Sequence, residues 1–377
     1  MKMPVTLTPA EIRRRLVAHL GLTRSLPSAR AVLHRLRCIQ LDPLDVIGTN
    51  ADLVVMARVE GARRGDVWRR LFPRHAFEHF AKERCILPAA AFPFYRRQGH
   101  RAQAPWWRHH EREARVPQRV VAAVLEEIRG RGPIAARDLT DHGSVAPIDW
   151  AGWRGTSKAT SMALEILWTR CDVVVAGRTE SGAKLFDVPE RALGPAIAAA
   201  EPDEPFDRWA LRERVVAAGL LSRAGSEAWS MLRDVRTSAL VDGMIEAGEL
   251  VDVALEGTRR RYLAIPDFLA PRRIRYDDRV RILGPLDPLL WDRDLVRLAF
   301  DFEYVWEVYK PAHLRKWGWY VCPLLHRDRL IGRVDARIEG NALVVRKLWL
   351  DAPELRPRVR EALERHAALC GCTRVRP

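Results

Sequence analysis

The stretch Cys38-Ile39-Gln40-Leu41-Asp42-Pro43-Leu44-Asp45 sets one amide and one carboxylate two residues apart, among side chains that can bury. In an extended segment, side chains two apart point to the same side. Gln40 and Asp42 would then project together, a hydrogen-bonding group beside one able to take a proton. Pro43 disfavours helix at Asp42 and suits the first helical position after it. A helix is therefore predicted from Pro43 towards Arg58. The same pattern fits Asp42 as a helix N-cap, with Asp45 three residues on echoing a capping box. Spacing alone leaves both readings open, and the cap is the commoner.

Composition bounds what such a pair could serve. A chain of 377 residues exceeds what one core usually organises, and 48% hydrophobic residues suffice for packed cores. The formal net charge is +15, most of the positive side chains being arginine. A surplus of that size calls for a polyanionic partner, nucleic acid first and a membrane surface second. Met1 to Ala10 lacks an apolar core, and no apolar run approaches the ~18 residues a membrane span needs. The expectation is a cytoplasmic, nucleoid-associated protein, monomeric, with no membrane contact. Cys38, Cys85, Cys171, Cys322, Cys370 and Cys372 read as free thiols of a reducing compartment. Cys370 and Cys372 have no matching His/Cys pair, and His75 and His79 have no third ligand. Neither metal nor cofactor is expected.

The elements that must position the pair follow in order. Thr8-Pro9-Ala10-Glu11 opens a helix with a capping box and proline at N1. Ser28 to Leu36 is a second helix, leading directly into the Gln40/Asp42 stretch. Val67 to Phe72, Ala76 to Lys82 and Phe92 to Arg97 read as further helices. His75 and His79 at i, i+4 would lie on one packed or solvated helix face. Trp106-Trp107-Arg108-His109-His110 is a basic aromatic patch of a kind that can lie on phosphates or bases. From Pro117 the order is helix, short helix, a long helix over Lys158 to Arg170 capped by Ser157, then strands at 173–178 and 184–188. That is the order of a winged helix. It recurs from Arg208 to Ile265, ending in strands at 250–255 and 260–265. After Pro271 the chain alternates as β segments, including Phe302 to Tyr309, and a helix over Pro353 to Leu369 closes it.

These residues together resemble the bacterial winged-helix DNA glycosylases typified by YcaQ (also called AlkX) and AlkZ. The resemblance rests on IQLD, FEHFAKERCILP, the segment W-x-G-W-R-G-T-S-K-A-x-x-x-A-L-E-I-L-W, LFDVPERAL and GPLDPLLWDRDLVRLAFDFEYVWEVYKP. It implies an α+β fold of three tandem winged-helix (helix-turn-helix) domains with a C-terminal β-rich or barrel subdomain. On this chain they would span 1–115, 116–200, 201–270 and 271–377, with the catalytic motif in the first. Gln40-Leu41-Asp42 is similar to the Gln-x-Asp signature of the YcaQ branch. The implied activity is excision of N7-alkylated purines from double-stranded DNA, including unhooking of interstrand crosslinks. With that resemblance catalysis leads for Asp42, and capping becomes a second duty.

The chemistry this implies is reasonable for these residues. An N7-alkylguanine already carries positive charge, so its departure needs little protonation. A carboxylate at Asp42 would stabilise the oxocarbenium character that builds on the sugar, and orient or deprotonate the attacking water. Gln40 would hold water, sugar or phosphate by hydrogen bonds. Neither a lysine nucleophile nor strand cleavage is required, so a monofunctional enzyme is expected, working in an open cleft that admits a crosslinked base. Candidate DNA contacts are Trp153, Arg154 and Lys158 at the start of the long helix, where a helix N-terminus attracts phosphate, together with Arg293. Asp287, Trp291 and Asp292 are expected to be structural, while His75 and Glu78 have nothing in the sequence to place them at the site. The competing class is a non-catalytic winged-helix transcriptional regulator, which should prefer one operator sequence. An RNA-binding protein rests on charge and aromatics alone.

Overall fold

Thr8 caps helix Pro9–His19, with the Thr8 hydroxyl and the Glu11 carboxylate bonded reciprocally across the first turn. Gly21, at φ +70°, ends the turn that follows. The structure is a computed structural model that describes residues 3–99, 109–148, 155–271 and 273–377. The chain divides into two units, one of Met1–Val67, Ala81–Cys85 and Ala210–Pro377, the other of Trp68–Phe80 and Ile86–Trp209.

The first unit holds the Gln40/Asp42 stretch and two sheets. One has the order Val5–Leu7, Val251–Leu255, Arg261–Ala264, Leu221–Ser222. Its outer strand Val5–Leu7 runs parallel to Val251–Leu255, and the remaining pairs are antiparallel. Helices Phe206–Ala218 and Ala239–Glu246 cover it through Leu211, Val215, Val241 and Met244, around the fully buried Trp229. The other is a five-stranded half-barrel: Val280–Ile282, Val321–His326, Arg329–Glu339 and Ala342–Leu350 antiparallel in turn, then Arg374–Arg376 parallel at the edge. Helix Arg356–Leu369 buries Val359, Leu363 and Ala367 on that sheet, and the same core takes in Ile47 and Leu53. The β-rich C-terminal region and its closing helix are thus as expected, and its core extends under the residues that follow Asp42.

In the second unit helices Gln118–Arg131 and Ala159–Thr169 pack with Ile134–Ala135 and the strands Val174–Arg178 and Lys184–Asp187.

Several local expectations are corrected. Ala76–Ala81 is a strand, so His75 and His79 do not share a helix face. His79 instead stacks on Trp168 with ring centroids 5.0 Å apart, and its Nε2 lies 3.2 Å from the Thr169 carbonyl. The helix expected from Pro43 begins at Asn50 and ends at Met56. Lys158, not Ser157, precedes helix Ala159–Thr169, and no side chain caps that helix. Residues Glu303 to Tyr309 form no strand, because the buried Glu307 carboxylate gathers Lys310 Nζ at 2.9 Å, the Lys316 amide at 3.1 Å and the Trp317 amide at 2.7 Å. A strand would point alternate side chains away from such a centre.

Candidate active site

Gln40 ends the short strand Ile39–Gln40, which lies beside the opening residues of strand Glu83–Pro88; the Leu41 amide donates to the Arg84 carbonyl at 2.8 Å. Helix Ala29–Leu36, capped by Ser28, delivers the chain to this point and stops at Arg37, whose φ of +62° turns the backbone into the strand. Pro43 then keeps the backbone out of helix, in line with its effect on the residue before it.

Asp42 is half-buried, and its Oδ1 accepts from the Leu44 amide at 2.8 Å. That is a tight turn closed by the side chain, and it replaces the capping role expected for Asp42. The true cap is Thr49, which forms a capping box with Asp52. Burial raises the Asp42 pKa above the ordinary carboxylate value, and the Leu44 N–H offsets part of the rise. Asp45 does not cap either; it pairs with Arg64 at 2.5 Å.

The segment after Asp42 is pinned from several directions. The Ile338 amide donates to the Val46 carbonyl at 3.0 Å, and His366 Nε2 lies 2.7 Å from the Ile47 carbonyl. Burial lowers the His366 pKa, favouring the neutral ring, whose remaining N–H then donates to Ile47. Tyr320, fully buried in the half-barrel, has its pKa raised by burial first, with the charges of Cys322 and Asp42 adding to the rise. The backbone that follows Asp42 is thus held by both the half-barrel and its closing helix.

Beneath Gln40 lies a polar network that is satisfied at almost every atom. The wholly buried Asn50 donates from Nδ2 to the Gln40 carbonyl at 2.8 Å and accepts the Leu286 amide on Oδ1 at 3.1 Å. A Cβ on Gly284 would come within 2.5 Å of that Asn50 oxygen, so the glycine makes room for the approach. Arg58 donates to Asp287 through both guanidinium ends, at 2.6 and 3.0 Å, with both side chains at 0% exposure. Asp287 also accepts the Leu289 amide at 3.1 Å. Asp287 thus ties the distinctive block to Arg58, and Leu286 of the same block reaches the Gln40 backbone through Asn50. Lys82, at the bend before strand Glu83–Pro88, is buried with its Nζ 3.1 Å from Gln40 Oε1. Sequence reasoning did not single it out, although FEHFAKERCILP contains it.

Lys158 is exposed and pairs with Asp141 at 3.4 Å. Arg293 is the exposed first residue of helix Arg293–Phe300, which Asp292 caps by accepting the Leu295 amide at 2.9 Å. Trp153 and Arg154, and the patch Trp106-Trp107-Arg108, lie outside the described residues. Glu78 is buried between Arg178 and Lys184 within the second unit, a structural ion cluster. All six cysteines are free thiols, and among the described residues no three His, Cys, Asp or Glu side chains are grouped to hold a metal.

The structure is that of a basic protein of mixed α and β elements, with a half-barrel sheet and, at Asp42, a half-buried carboxylate beside Gln40. The profile of the AlkZ-like DNA glycosylase family matches residues 33–369, and the chain belongs to that family, a class of enzymes acting on DNA. Among solved structures it is similar to Streptomyces sahachiroi DNA glycosylase AlkZ, at 17% identity over 99% of this chain and 100% of that one, with a TM-score of 0.59. At that identity the likeness is one of fold. Membership in this family lends no support to the regulator reading. No helix among the described residues is long and apolar enough to cross a membrane.

Proposed function

We propose that the enzyme hydrolyses the N-glycosidic bond of N7-alkylated purines in double-stranded DNA and unhooks interstrand crosslinks, with Gln40 and Asp42 as its catalytic pair. The observation that carries this reading is Asp42 itself: a half-buried carboxylate whose pKa burial raises, held by one backbone N–H and otherwise uncommitted among the described residues. Asp287, by contrast, is fully paired, taking both ends of Arg58 and the Leu289 amide. In the reaction the bond from sugar C1′ to the base nitrogen breaks, and its electron pair leaves with the base, neutralising the N7-alkyl cation. Water oxygen bonds to C1′, and its proton passes to Asp42. The same carboxylate stabilises the positive charge on the sugar before the water arrives.

In this reading hydrolysis needs no metal, cofactor or Schiff base, and the enzyme is monofunctional. The chain is read as a monomer of three winged-helix domains over 1–115, 116–200 and 201–270 with the β-rich domain 271–377. The orders of helices and strands within 118–187 and 206–264 support two of those domains. Trp153, Arg154, Lys158 and Arg293 are assigned to DNA, in an open cleft wide enough for a crosslinked base, in the cytoplasmic nucleoid compartment. The net charge of +15 favours this partner, and predicts duplex affinity that falls steeply with salt and varies little with sequence.

The test is release of N7-methylguanine from alkylated duplex DNA, read as alkali-labile sites, for wild type and Asp42→Ala. Release by wild type alone supports the reading. Equal release by both removes Asp42 from the mechanism. No release from this DNA or from a nitrogen-mustard crosslink removes the activity.

A further inference from the structure

We infer that Lys82 is a positioning residue that fixes which end of the Gln40 side-chain amide faces the reacting sugar. The inference rests on the glycosylase reading above and assigns a polarity within its site.

A glutamine amide has an oxygen end that only accepts and a nitrogen end that only donates, of nearly the same shape. Left alone, Gln40 could present either. Lys82 removes that freedom. Its ammonium carries donors and no acceptor, so the atom 3.1 Å from Nζ must be the amide oxygen. The NH₂ end is then directed away from Lys82, and no described residue accepts from it. Gln40 is 7% exposed, so the amide has little room to rotate out of this arrangement.

Lys82 is held for this purpose by a closed ring of contacts. Nζ lies over the Trp291 ring, 5.3 Å from its centroid. Trp291 Nε1 donates to the Leu286 carbonyl at 3.0 Å. The Leu286 amide donates to Asn50, and Asn50 donates to the carbonyl of Gln40 itself. Thus the GPLDPLLW block closes on both the backbone and the side chain of Gln40. No carboxylate pairs with Lys82 among the described residues, and its pKa is lowered by burial, with Arg214 adding to the fall. A lysine kept for phosphate binding would reach solvent, whereas this one is 7% exposed.

The consequence is a division of labour. Gln40 offers donors to an oxygen, either of the attacking water or of the sugar and its phosphate. It does not take the proton. Proton acceptance falls to Asp42 alone, and a water held here turns one lone pair to the Gln40 N–H and keeps the other for the sugar.

The experiment is single-turnover release of N7-methylguanine from duplex DNA at saturating enzyme, with duplex affinity measured in parallel, for wild type, Lys82→Met, Lys82→Arg and Gln40→Glu. Lys82→Met should slow release about 10- to 100-fold, the range for losing a charged hydrogen bond, with affinity unchanged. Lys82→Arg, which restores a donor, should recover most of that loss. Gln40→Glu keeps an oxygen for Lys82 but sets a second acceptor where the donors stood, and should be slowed at least as far. Wild-type rates in Lys82→Met or in Gln40→Glu would overturn the inference and leave the glycosylase reading intact. Should Lys82→Met fail to fold, Gln40→Glu decides. Borohydride trapping of wild type on DNA, lost in Lys82→Met, would make Lys82 a nucleophile and overturn it as well. A wild type that releases no base removes the glycosylase reading, and this inference with it.

Discussion

Asp42 and Asp287 belong to the same unit and differ in almost every respect that matters to a carboxylate. Asp287 has no exposed surface, takes both ends of Arg58 and accepts a backbone N–H besides. Asp42 is half-buried, takes one backbone N–H and meets no cation in an ion pair among the described residues. The first is satisfied and holds two segments together that lie 229 residues apart in sequence. The second is desolvated with only the Leu44 N–H to offset the cost, an environment that burdens the fold and that reactive carboxylates share. On the proposed function, such a difference separates a carboxylate kept for stability from one kept for reaction.

Breaking each should therefore break a different property. Replacing Asp42 by Ala is expected to slow base release by about 10²- to 10⁴-fold, the usual span for losing a positioned acid–base group. Far-UV circular dichroism and the denaturant midpoint should stay close to wild type. A variant that loses structure instead would place Asp42 with Asp287. Asp287→Ala should act in the opposite way, leaving Arg58 buried without its partner at a cost of about 3–5 kcal/mol. Its urea midpoint should drop sharply, and the double variant Arg58→Met with Asp287→Leu should regain most of the loss. No recovery in the double variant would mean that the pair does more than satisfy itself.

The comparison also shows what the sequence could disclose. The capping box at Thr8 and Glu11 was legible because everything it needs lies within four residues. The Gln40/Asp42 pair stood out by its motif alone, and the β-rich end by its alternation after Pro271, where the structure has strand Arg329–Glu339. Ala76–Ala81 misled because His79 within it and His75 just before it have helical spacing. Its actual state is decided by partners about 90 residues away, the Trp168 indole on the Glu78 carbonyl and the Thr169 carbonyl at His79. The stretch after Pro43 misled for a related reason: three local signals favoured a helix, but Ile338 and His366 hold the backbone open until Thr49. Lys82 carried no local signal of its own, since a lysine among polar neighbours reads as surface. Only the fold brings Gln40 and Trp291 to it.

A smaller effect is expected from the floor between the two carboxylates. Asn50→Ala leaves the Gln40 carbonyl without the side-chain donor and the Leu286 amide without its acceptor, both in buried surroundings. Each group left unsatisfied costs about 1–3 kcal/mol, less whatever a water recovers. The measurement is the denaturant midpoint together with the single-turnover rate. Both should fall, because Asn50 supports the fold and the placement of Gln40 at once. A stability loss with an unchanged rate would detach the floor from the site.

The smallest effect expected is also the one that tests the contrast most directly. Burial raises the pKa of Asp42 in the folded protein above its unfolded value. The sign then follows from linkage: a raised carboxyl pKa contributes stability that is fully present below the unfolded value and lost as pH rises through the folded one. At neutral pH the ionised side chain is thus a burden on the fold. Asp42→Asn removes the charge and keeps an oxygen for the Leu44 amide. It should match wild type in acid, where Asp42 is protonated in both states, and exceed it modestly at neutral pH. Urea midpoints for the two proteins across that range decide the matter. A gap that opens as pH rises fits a desolvated, underpaired carboxylate, whereas a wild type that stays the more stable at neutral pH would show that Asp42, like Asp287, is there to hold the protein together.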